Sequence, residues 1–275
     1  MELSSEENLI RERVSGIFRA ARKLRGLKQA EMAKLINVSQ SAISKFESGA
    51  LMPDTHKWYQ FCQSLGLDAD LTYRSGYVFS TIPRDSYKKS NFKFGKKPST
   101  SLIKAKECIP FINSITKMEQ KFSFEDTMKK NGIDIDIFRI VDFNIPVSVL
   151  AIIFKFMNSN IGQYEKMASK AFIEDLDYFL PSSKLTRNQL NTNLPKTLQS
   201  LEASSEIARF SKKGNKIKIE INKNFAYTDS DKAFIEKYLK YKSTLTKDIL
   251  KSSKQVKDIN VSKKSTTEYI IEYAV

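Results

Sequence analysis

Gln40, Ser41, Ser44 and Lys45 lie at helical spacing within Ser39-Gln40-Ser41-Ala42-Ile43-Ser44-Lys45-Phe46-Glu47. A helix over Gln40 to Glu47 therefore gathers all four on one polar face and buries Ile43 and Phe46 on the other. That face offers hydrogen bonding, not bond breaking. Glutamine and lysine suit the edges of bases, and serine is small enough to let a helix enter a groove. Ser39 is placed to cap this helix and Gly49 to stop it.

Candidates for catalysis are few. One histidine, His56, argues against a Ser-His-Asp triad and against histidine metal clusters. Cys62 and Cys108 form no CxxC pair and cannot build a disulfide framework. Cys62 reads as a small core hydrophobe and His56 as a surface residue. There is no glycine-rich phosphate loop. Asp134 and Asp136, two apart in GIDIDIF, read as a loop entering a 3₁₀ turn, and Glu174, Asp175 and Asp177 as a solvated acidic helix end. The expectation is a protein that is not an enzyme and uses neither cofactor nor metal.

The elements that must hold the polar face are short helices. Ile10, Val14, Ile17, Phe18, Ala21 and Leu24 recur every three or four residues, the pattern of an amphipathic helix ended by Gly26. A second short helix spans Gln29 to Ile36, with Ala30, Ala33 and either Leu35 or Ile36 facing inward. Asn37 follows where the chain must turn sharply, and asparagine tolerates a left-handed backbone. Val38 is placed where it can plug the core. After Pro53-Asp54-Thr55 a further helix carries the stripe Trp58, Phe61, Cys62 and Leu65. Two short helices joined by a tight turn within a bundle of about five describe a helix-turn-helix.

The run QAEMAKLINVSQSAISKFESGALMPD resembles the phage repressor and Cro type of DNA-binding domain, over roughly Leu9 to Asp70. The resemblance implies a five-helix, lambda-repressor-like fold. It also implies that Gln40, Ser41 and Lys45 reach base edges in the major groove, and that Gln29 and Ser39, with Ser44 beside them, contact phosphates. Arg22 and Glu47 match a partly buried structural ion pair. The sequence departs from the family pattern at Asn37, where glycine is usual, and at Lys28, where a hydroxyl cap is usual.

Charge and composition divide the remainder. The formal net charge is +15, which favours a polyanionic partner. Residues 71–106 carry nine basic side chains against Asp85 alone, and residues 211–275 carry fifteen against eight. The stretch PRDSYKKSNFKFGKKPSTS mixes Pro, Gly, Ser and Lys without period and reads as linker. The expected division is a helix-turn-helix domain over 1–72, a basic linker over 73–101, and an α+β regulatory or dimerisation domain with an antiparallel sheet over 102–275. In that last part helices are expected over Glu119–Asn131, Ile145–Met157, Tyr164–Phe172, Leu194–Phe210 and Asp229–Lys251. Ile217, Ile219 and Ile221 mark a strand, and Asp258–Val261 with Thr266–Val275 a hairpin around Ser262-Lys263-Lys264-Ser265.

The start of the chain has no apolar run of a signal peptide, and the longest uncharged apolar stretch, Ile145 to Phe154, is too short to span a membrane. A cytoplasmic location is expected. The expected function is a sequence-specific transcriptional regulator, such as a repressor, that binds a palindromic double-stranded operator as a homodimer. Its C-terminal domain would dimerise or sense a small-molecule or protein effector. The alternative is an antitoxin-like or other protein-interaction module with a DNA-binding head.

Overall fold

Helix α1 (Ser5–Leu24) sets Glu6 and Glu7 at its positive end and Arg22 and Lys23 at its negative end, so its charges complement the helix dipole. Its apolar stripe, Val14, Ile17, Phe18, Ala21 and Leu24, is buried. In the computed structural model, which describes residues 5–80, 90–95, 101–118, 120–160, 164–174, 205–222, 225, 232–252 and 256–274, α1 begins the first of two compact units. That unit comprises Met1–Phe94 and Asn131–Phe143; the other comprises Gly95–Lys130 and Asn144–Val275.

Four more helices complete the N-terminal bundle: α2 (Gln29–Leu35), α3 (Gln40–Ser48), α4 (Thr55–Leu65) and α5 (Ala69–Ser75). Asp54 and Asp68 cap α4 and α5 through their side chains, and glycines in left-handed conformation close α3, α4 and α5. Phe18 centres the core. Its ring stacks on Phe61 at 3.9 Å and meets Phe46 at 5.3 Å. In α2 the inward residues are Met32 and Ala33, joined by Ile36 at its C-cap, whereas Ala30 and Leu35 are exposed. The expectation for Ala30 was one position off, because the stripe runs through Gln29, whose side chain turns inward to a buried carboxylate.

The described parts of 73–101 are not free linker. Val78, Phe79 and Phe92 are buried in the first unit. Asp68 N–H donates to Phe79 O at 2.9 Å, and Phe94 bridges to Ile133. Lys88, Lys89, Lys96 and Lys97 lie outside the described residues. The first unit thus reaches Phe94 and also takes in residues 131–143, which return to complete it. This return segment, Asn131–Phe143, buries Ile133, Ile137, Phe138, Ile140, Val141 and Phe143. A 3₁₀ turn spans Ile135–Arg139, capped by Asp134, whose carboxylate accepts from Asp136 N–H.

The second unit pairs β1 (Leu102–Lys104) antiparallel with β2 (Asn144–Pro146) and contains α6 (Ile109–Lys117), α7 (Lys121–Lys130), α8 (Val147–Asn160) and α9 (Tyr164–Glu174). A four-stranded antiparallel sheet follows in the order β3-β4-β6-β5, made of β3 (Ala208–Lys213), β4 (Lys216–Ile221), β5 (Ile259–Ser265) and β6 (Glu268–Tyr273). Helix α10 (Lys232–Ser252) packs on this sheet and on α9, burying Phe234, Tyr238, Tyr241, Leu245 and Ile249. The unit is α+β, as its patterning predicts.

Three expectations shift. Pro146 ends β2 and α8 starts one residue later. The expected helix over Leu194–Phe210 gives way, in its described end, to β3, where Phe210 pairs with Ile219. The expected turn residues Ser262 to Ser265 extend β5, with a register irregularity between Lys263 and Ser265, so the turn falls at Thr266 and Thr267. The apolar surface of α8 is consumed internally, with Val147, Val149, Leu150, Ile153, Phe154 and Met157 all buried.

Candidate nucleic-acid interface

Helix α3 is two-faced, as its spacing requires. Ile43, Phe46 and Glu47 are buried, while Gln40, Ser41, Ser44 and Lys45 are exposed side by side. The turn before it depends on Asn37, whose φ of 49° is the one positive value among described non-glycine residues. Val38 N–H donates back to Ala33 O at 3.0 Å, closing the turn. Lys57 from α4 reinforces it, its Nζ donating to Ile36 O at 3.2 Å and Asn37 O at 3.4 Å.

Ser39 accepts from Ala42 N–H at 3.0 Å, the N-cap expected of it. Its own hydroxyl hydrogen remains a donor at the electropositive start of α3, the arrangement that suits a phosphate. At Lys28 the side chain cannot accept a hydrogen bond, and Glu31 compensates by accepting from Lys28 N–H at 2.6 Å.

Behind the polar face sits an ion-pair network. Arg22 grips both carboxylate oxygens of Glu47, with Nη2 to Oε2 at 2.9 Å, and Glu47 is only 5% exposed. Gln29 Nε2 donates to the same Oε2 at 2.9 Å. Gln29 therefore orients the buried carboxylate, a contact not foreseen for it, and retains a second amide hydrogen. The last carbonyls of α3 are held by α1 as well. Arg19 Nη1 donates to Glu47 O, and Arg11 Nη1 donates to Gly49 O at 3.1 Å. Cations at a helix C-terminus oppose its partial negative charge.

Arg11, Arg19 and Lys57 lack any local signature, so sequence reasoning passed over them. Gly16, in the middle of α1, was a usable signal. A Cβ there would lie 2.1 Å from Arg139 Nε, so the glycine makes room for a guanidinium from the return segment. Arg139 also donates to Gly76 O at 3.3 Å, and its carbonyl accepts from Val78 N–H.

A pocket of about 670 Å³ opens elsewhere in the unit, lined by Val14, Met52, Trp58, Tyr59, Tyr73 and Arg74 among others, with none of the four polar-face residues of α3. Among the described residues no group of acids, cysteines or histidine could hold a metal ion, and no helix is long and apolar enough to cross a membrane.

A helix-turn-helix family model matches residues 18–71, from the middle of α1 into α5. The N-terminal domain is a helix-turn-helix of the Cro/CI type, which makes this a DNA-binding protein of the regulator class. No curated protein and no solved structure matches the chain.

Proposed function

We propose that the chain is a sequence-specific transcriptional regulator that reads a palindromic operator as a homodimer. Gln40, Ser41 and Lys45 contact base edges, while Ser39, Ser44 and the free amide hydrogen of Gln29 contact phosphates. The carrying observation is the exposed stripe Gln40–Ser41–Ser44–Lys45 on a helix whose opposite face is buried and whose last carbonyls are pinned from α1. Such rigidity is what base readout needs, since a bidentate contact discriminates only if its side chain is held in register.

Homodimerisation follows from specificity. One short helix touches few base pairs, and two half-sites about one helical turn apart multiply the discrimination. The second unit, with its own sheet and core, supplies the dimer contact or the response to an effector. Selection of the full chain against random-sequence duplexes tests the reading. It should enrich an inverted repeat with half-site centres roughly 10 base pairs apart. Recovery of no sequence preference would overturn the reading, and a single unrepeated site would overturn its dimeric part.

A further inference from the structure

We infer that Asp136, in the segment that returns to the first unit, is a positioning residue for the DNA-reading helix and acts through Arg19. The inference rests on the proposed DNA-reading role of α3 and extends that role to a residue far outside the helix-turn-helix.

Asp136 is 4% exposed, and its carboxylate faces two cations of α1. Arg19 Nε lies 3.3 Å from each of its oxygens, and Lys23 Nζ lies 2.7 Å from Oδ2. Lys23 also reaches Asp134 Oδ2 at 2.7 Å. Arg19 and Lys23 are four residues apart and so share one face of α1. Arg19 is bifunctional. Its Nε faces the return segment, while its Nη1 donates to the backbone oxygen of Glu47 in the last turn of α3. A guanidinium is a planar fork, so fixing one edge fixes the direction of the other. With Arg19 itself 32% exposed, packing alone does not fix its rotamer; the carboxylate at its Nε edge supplies the missing constraint.

The segment is firmly seated. Ile137 is fully buried and Phe138 5% exposed, and Asp134 N–H donates to Lys93 O at 3.0 Å. Its ends continue directly into α7 and β2 of the second unit. The support of the reading helix is therefore furnished in part by Asn131–Phe143, which lies outside the 18–71 module in sequence.

The test compares full-length wild type with Asp136→Asn, Arg19→Lys, their double variant and Asp134→Asn. The first readout is amide exchange across α3 in the free protein. The second is affinity for the duplex recovered by selection with wild type, against a scrambled duplex. Asp136→Asn should speed exchange in the last turn of α3 and weaken binding to the selected duplex by about threefold to thirtyfold, inside the span of coupled neighbours. Binding to the scrambled duplex should change less than about twofold. Arg19→Lys keeps the charge but not the fork and should reproduce both effects, and the double variant should be no worse than either single one. Asp134→Asn keeps a side chain able to cap the turn and leaves the Asp136–Arg19 contact, so α3 should exchange as in wild type. Unchanged α3 exchange in Asp136→Asn, or additive losses in the double variant, would overturn the inference. A wild type with no duplex preference would overturn the DNA-reading proposal instead, while the exchange data would still decide whether Asp136 steadies α3.

Discussion

Glu47 shows what one residue costs when its partner is removed. It is buried, gripped by Arg22 on both oxygens and touched by Gln29. Replacing Arg22 with Ala strands a carboxylate, and such losses run to about 3–5 kcal/mol. Because Gln29 still donates, the lower end is expected, about 3 kcal/mol by urea unfolding. The two cysteines behave oppositely to reactive thiols. Burial, helped by Asp68 and Asp70, pushes the Cys62 thiol up to about 12. Burial pushes Cys108 up as well, with Glu107 adding to it. A raised folded value means that the folded state holds its proton where the unfolded state releases it. The Cys62 contribution is therefore full below the ordinary thiol value of 9.0 and is lost as pH rises toward about 12. Neither thiol should be alkylated by iodoacetamide in the native chain at pH 8, and both should react in urea. Rapid native labelling would contradict the burial.

At the scale of elements, Gly16 pits helix propensity against packing. Alanine in a helix interior is favoured over glycine by about 1 kcal/mol. The added Cβ, however, would collide with Arg139, itself held by Gly76 O. The guanidinium must swing away and give up its Gly76 O contact, a loss of about 1 kcal/mol that offsets the gain in propensity, so Gly16→Ala should leave the melting temperature nearly unchanged. In an Arg139→Ala background the same change should raise it. The helix-turn-helix was legible in the sequence because its signals are local: three- and four-residue spacing, Ser39 and Asp54 as caps, Asn37 in the turn. The return segment was legible only as a 3₁₀ turn. Its partners Arg19 and Lys23 lie 111 to 117 residues away, beyond any spacing rule. Strand β3 takes the place of the expected helix end because Ser205 to Phe210 alternate only weakly, leaving no local strand signal. Its state is set by the ladder to β4, a tertiary cause.

For the whole molecule, the first unit is discontinuous in sequence. A chain cut after Phe94 would lose Ile133, Ile137, Phe138 and Ile140 from its core. Fully burying each such side chain is worth about 1.5–3 kcal/mol, so the fragment 1–94 should unfold at lower urea than its counterpart in the full chain. The second unit has its own buried polar centre. Lys242 meets Glu107 at 3.3 Å, Tyr238 donates to Glu107, and Ser205 lies 2.9 Å from the Tyr238 oxygen. Burial lowers the pKa of Lys242, with Glu107 opposing the shift. Lys242→Met alone should destabilise strongly, and adding Glu107→Gln should restore much of the loss, because the stranded charge is then gone. The apolar face of α8 is already buried within the second unit and offers no surplus surface for a second copy. The proposed homodimer is argued from operator geometry, and sedimentation of the full chain on its selected duplex should show two chains per inverted repeat; one chain per duplex would contradict it.

The proposed function assigns base readout to Gln40 and Lys45 of α3. Fluorescence anisotropy of the full chain on its selected duplex and on a scrambled one tests it most directly. Gln40→Ala and Lys45→Ala should each cost about 1–3 kcal/mol on the selected duplex and little on the scrambled one. Equal losses on both duplexes would assign these side chains to the phosphates and contradict base readout by α3.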